Sequence, residues 1–115
     1  MTDRELLELA AKAAGIDGQW SEAYSAIHVN TAPLRNFVLW SPLTDDGDAL
    51  RLAVALRMLI EVGKGHAIAN TMDRAGESTE CVYFGTEQTG NSLMTPEAAT
   101  RRAIVRAAAA IGESK

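Results

Sequence analysis

Residues 40–48 read Trp40-Ser41-Pro42-Leu43-Thr44-Asp45-Asp46-Gly47-Asp48, three carboxylates within four positions behind a tryptophan and a proline. As a helix start, each residue has a job. Asp45 is the N-cap, its carboxylate accepting an N–H from the second or third helical residue, and Asp48 is placed to reach back to the cap. Asp46 and Asp48 also face the positive end of the helix dipole, each typically worth roughly 0.3–1 kcal/mol. Gly47 is a poor helix former, costing about 1 kcal/mol against alanine, so its presence implies close backbone approach or a tight first turn. Pro42 stiffens the approach and Trp40 packs over the junction. A calcium loop instead needs acids at alternate positions and a glutamate at position twelve. Counted from Asp45, that position holds Leu56, and the metal reading fails.

Working outward, the periodicity predicts a helix from Asp46 to Leu59. Ala49, Leu52, Ala53, Leu56 and Leu59 form its main stripe, widened by Leu50, Val54 and Met58. So broad an apolar surface belongs to a helix buried on several sides or used in an oligomer interface. Upstream, Tyr24–Val29 and Arg35–Trp40 read as strands separated by Asn30-Thr31-Ala32-Pro33. Downstream, Ile60–Val62, His66–Asn70 and Cys81–Phe84 are strand candidates, divided by a turn at Gly63-Lys64-Gly65 and a hairpin loop at Asp73–Ser78. Thr86–Ser92 is a looser connection.

The chain ends are helical. Thr2 and Glu5 have capping-box spacing; Leu6, Leu9, Ala10 and Ala13 make one stripe; Gly15 is a left-handed stop. Arg4, Glu8 and Lys12 pair along the wet side. At the other end Thr95 caps, Pro96 takes the first helical position, and an alanine-rich helix runs to Ile111 with Gly112 as its stop. The expected fold is α+β: an antiparallel sheet of about three to five strands layered with three helices, in the order α-β-β-α-β-β-α, as one domain over residues 1–115.

Composition narrows the function. The chain has 115 residues, 47% of them hydrophobic and only 5% aromatic, so its core rests on Ala, Leu, Ile and Val. A net charge of −4 with no basic block argues against nucleic-acid binding, which normally needs a concentrated cationic footprint. Cys81 is the single cysteine, which excludes an intramolecular disulfide and suits a reducing cytosol. The opening MTDRELLELA is acidic and amphipathic, unlike a signal peptide, and no apolar run approaches membrane-spanning length; the expected setting is the cytoplasm, without membrane contact.

Three further constellations carry reactive or charged groups. His28, His66 and Cys81 contain the groups of a nucleophile–base pair, but they lie in three different segments and nothing in their spacing brings them together. Gly63-Lys64-Gly65 lacks the earlier glycine and the following hydroxyl of a phosphate loop, having Met58 and Gly65 at those positions. Arg101, Arg102 and Arg106 are the best basic cluster, able to grip phosphate or carboxylate, with Glu97 one turn before Arg101.

Three stretches resemble one family. Asp3–Gly15, Trp40–Ala53 and Ala98–Ala108 are similar to the opening helix, the central W-x-P-L-x-D-D-G-D-A-L-R-L signature and the closing helix of the phage ABA sandwich domain. The resemblance implies a phage or prophage origin and an α+β sandwich, and carries no catalytic residue. The expectation is therefore an accessory protein of the infected or lysogenic cell that binds a host or phage protein. No enzymatic role, cofactor or metal is assigned, and the broad central helix points to a homodimer. The alternative is a binder of a small nucleotide-like signal, held by Trp40 and the arginines; nucleic-acid binding stands behind both. Candidate contacts are Trp40, Asp45, Asp46, Asp48, Arg101, Arg102 and Arg106.

Overall fold

An alanine-rich helix can be buried on more than one side, and the last helix of this chain is. In the computed structural model, which describes residues 1–30, 38–73, 76–83 and 95–114, α3 spans Pro96–Ser114. Thr95 caps it as the sequence predicts, its Oγ accepting the Ala98 N–H at 3.1 Å. Three consecutive residues, Ala107, Ala108 and Ala109, are all buried, and successive positions point about 100° apart, so a single wet face is ruled out. One neighbour of α3 is α1 (Asp3–Ala14); the others are the second sheet and α2 (Asp46–Ala55).

The strands form two sheets. β1 (Gly18–Ser21), β2 (Ala26–Val29) and β3 (Leu39–Trp40) make the first, in that order, with Ile27 paired both to Trp20 and to Trp40. β4 (Leu59–Gly63), β5 (His66–Asp73) and β6 (Gly76–Tyr83) make the second, also in chain order. All four pairings are antiparallel. The first sheet rests on α1, and the second rests on α3 through Ala67, Ala69 and Val82. One apolar cluster joins these layers through Leu6, Leu7, Ile27, Trp40, Leu52 and Val105. No helix among the described residues is long and apolar enough to cross a membrane.

The α+β class, the three helices and the antiparallel pairing are as read from the sequence, but several boundaries move. Each strand block holds three strands, and they lie in separate sheets. β1 lacks a strong strand pattern, and its turn to β2, Glu22–Ser25, has no glycine or proline. Ser25 takes the positive φ there, at 49°. The hairpin loop expected at Asp73–Ser78 is narrower: strand pairing continues to Asp73 opposite Gly76. Residues 31–37 and 84–94 lie outside the described residues, and with them Pro33, most of Arg35–Val38 and the Thr86–Ser92 connection.

Helix α2 ends at Ala55, not Leu59. The Arg57 N–H donates to the Val54 carbonyl at 3.2 Å and the Met58 N–H to the Ala53 carbonyl at 2.9 Å. This is the double closure that Gly15 and Ile16 make after α1. At the left-handed position α1 has Gly15 with φ 72°, whereas α2 has Arg57 with φ 53°. The missing glycine is why the periodicity ran on into β4. Gly112 shows the reverse. It does not stop α3, which continues to Ser114; instead a Cβ there would strike the Leu9 carbonyl of α1.

Two stability measurements follow. Gly112→Ala gains about 1 kcal/mol of helix propensity but forces α1 and α3 apart, for a net destabilisation of about 1–2 kcal/mol in urea unfolding. Arg57→Gly relieves the left-handed backbone and raises stability by about 1 kcal/mol.

Candidate functional site

The strand-to-helix corner is built as a chain of hydrogen bonds. Asp45 is the N-cap, its Oδ2 accepting the Asp48 N–H at 2.8 Å. The Asp48 carboxylate does not return to the cap. It reaches further, Oδ2 accepting the Ser41 N–H at 2.9 Å, so one side chain joins the first turn of α2 to the end of β3. Its other oxygen takes the Arg51 guanidinium at 2.8 Å. That hydrogen bond, with the charges of Asp48 and Asp45, raises the Arg51 pKa above its ordinary value. Gly47 provides the room: a Cβ there would lie 3.1 Å from the Arg51 guanidinium. Pro42 is fully buried beneath the corner.

The three carboxylates thus diverge. Asp45 caps, Asp48 braces the corner, and the exposed Asp46 accepts Arg101 Nη1 at 2.5 Å. Arg101 Nε also donates to the Leu43 carbonyl at 2.9 Å, so this mostly buried side chain ties α3 to the corner. No group of three His, Cys, Asp or Glu among the described residues is placed to hold a metal ion.

The arginines do not act as one cluster. Arg102 pairs with Asp3 at 3.1 Å and Arg106 with Glu80 at 3.1 Å, so each of the three joins α3 to a different element. Trp40 is only 6% exposed, packed in the core opposite Ile27, and does not line the clefts that hold the arginines. Among the described residues, no pocket is enclosed by Trp40 and all three arginines. His28 is on the first sheet, while His66 and Cys81 are on the second. The His66 ring leans over Gly63 of β4, on the opposite side of β5 from β6.

The feature that does form is apolar. A groove of about 410 Å³ runs between α2, the first turns of α3 and β4. Ala49, Ala53, Ile60 and Ile104 line it, Leu50 and Val62 flank it, and Asp46, Glu97 and Arg101 mark one end. Two of the seven large apolar side chains exposed among the described residues, Leu50 and Val62, lie on its walls, and Val54 stands one turn beyond Leu50 on α2. The width of the α2 stripe signalled this surface, but nothing in the sequence joined it to Ile104 or Val62. Comparison of the chain with protein-family models, curated proteins and solved structures finds no match.

The corner predicts an order of effects. Asp48→Ala leaves the Ser41 N–H and Arg51 without their acceptor and costs about 1–3 kcal/mol in urea unfolding. Asp46→Ala, which breaks a solvent-facing ion pair, costs at most about 1 kcal/mol.

Proposed function

We propose that this chain is a phage or prophage accessory protein of the ABA sandwich type that acts by docking a protein on the groove between α2, α3 and β4. The observation that carries the docking reading is the apolar groove walled by the exposed Leu50 and Val62 and continued along α2 by the exposed Val54. Scattered single apolar residues are ordinary on a surface, whereas a contiguous patch with a polar rim marks an interaction site. The groove has the anatomy of an interface core: aliphatic walls, small residues at the floor, and charges held at one end. The phage setting rests on the resemblance of residues 3–15, 40–53 and 98–108 to that family, and on this reading the protein acts in the cytoplasm of the infected or lysogenic cell.

The groove favours a protein over a small polar ligand. It presents one guanidinium, Arg101, and that group is already engaged by Asp46 and the Leu43 carbonyl. A phosphate-bearing ligand would have to compete with both partners.

Affinity purification from infected cells, followed by mass spectrometry, tests the reading. Tagged wild-type chain is expected to retain a protein that tagged Leu50→Glu loses by at least about tenfold, the effect of removing about 1.4 kcal/mol of contact. Leu50 is 65% exposed, so the substitution leaves the fold intact, as circular dichroism will show. Equal capture by both chains removes the groove as the docking surface.

A further inference from the structure

We propose that the occupant of the groove is a second copy of this chain, held by antiparallel packing of α2 on α2 across a two-fold axis. The inference rests on the docking reading above and names the protein that docks.

A two-fold contact uses the same patch on both copies, so that patch must carry both the protrusion and the recess it fills. This one does. Leu50 and Val54 stand one turn apart on α2, 65% and 68% exposed, beside the groove floored by Ala49 and Ala53. A two-fold axis passing between Leu50 and Val54 offers the two side chains of each copy to the recess of the other.

Charge selects the antiparallel arrangement. The N-terminal end of α2 carries Asp45, Asp46 and Asp48, matched by Arg51 and Arg101 alone, which leaves it net negative. Just beyond its C-terminal end stands Arg57, exposed and without an ion pair among the described residues. Antiparallel packing sets Arg57 of each copy against the acidic end of the other and opposes the two helix dipoles. Parallel packing would set like ends together. Arg57 also occupies a left-handed backbone position that glycine fills at lower cost, φ 53°. A non-glycine residue held in that region points to a use for its side chain.

The β4 edge of the second sheet, unpaired among the described residues, is the competing surface, and charge rejects it. Two β4 strands paired over their full five residues about a two-fold axis place Glu61 directly opposite Glu61 of the second copy. Like charges in that position oppose pairing. The helix face carries no such conflict.

Sedimentation velocity and light scattering on the full chain decide the matter. The wild type is expected to show twice the chain mass at about 100 µM, with a Kd at or below that concentration. Val54→Lys and Arg57→Gly are each expected to weaken association at least about tenfold. Arg57→Gly is the decisive variant, because it should make the isolated chain more stable while weakening the dimer, which a purely structural role for Arg57 would not do. If Val54→Lys does not fold, Arg57→Gly decides alone. A wild type that is monomeric at the highest concentration overturns the proposal, as does a dimer that survives both substitutions. A monomer that still captures another protein through Leu50 overturns the second copy and leaves the docking reading standing. A monomer that captures nothing overturns both.

Discussion

The Leu9 carbonyl of α1 occupies the space a side chain at position 112 would need, and much of the molecule is arranged around that approach. Two helices this close tolerate only small residues between them, so α3 carries alanines where most buried helices carry leucine or isoleucine. Small residues in turn allow the second sheet to settle on α3 through Ala67 and Ala69. A helix buried on several sides has little surface for long polar side chains. Its three arginines leave at the margins, each toward a different neighbour: Arg101 to Asp46, Arg102 to Asp3 and Arg106 to Glu80. Individually such pairs are worth little in water, and their main effect is to orient the elements around α3.

The acidic corner works in the same way. Asp48 spans from the first turn of α2 to the Ser41 amide, so the direction in which α2 leaves β3 is set by a hydrogen bond across seven residues. Arg101 then fastens that corner to α3. With both ends of the connection held, the buried face of α2 (Ala49, Leu52 and Ala53) is pressed into the core, and Leu50 and Val54 are left facing outward. The groove is a by-product of this geometry. Its floor includes Ala49 and Ala53 from the buried side of α2, and its walls are aliphatic because α2 is apolar around most of its circumference.

Local signals in the sequence were reliable wherever the physics is local. The caps at Thr2, Asp45 and Thr95 are made as their spacing predicts, because a cap needs only its own side chain and an amide two or three residues on. The failures were also informative. Gly112 reads as a stop because glycine most often ends helices, yet here it answers a steric demand from a helix about a hundred residues away in the chain. Arg57 reads as helix interior because arginine favours helices, yet it takes the left-handed turn that ends α2. Asp48 had the right partner type and the wrong partner, since a carboxylate able to reach back to the cap can equally reach beyond it.

The sequence by itself determined the helices with their starting points, the antiparallel character of the sheets, and the presence of one helix too apolar to stand alone in water. These follow from side-chain periodicity and capping chemistry within a few residues. Only the tertiary structure decided that the strands divide into two sheets, that Trp40 is buried, and that the arginines separate. It also decided that Leu50, Val62 and Ile104 meet around one groove. Each of those depends on contacts between residues tens of positions apart, whose energies are set by how closely α1, α2 and α3 pack, and no local pattern encodes that distance.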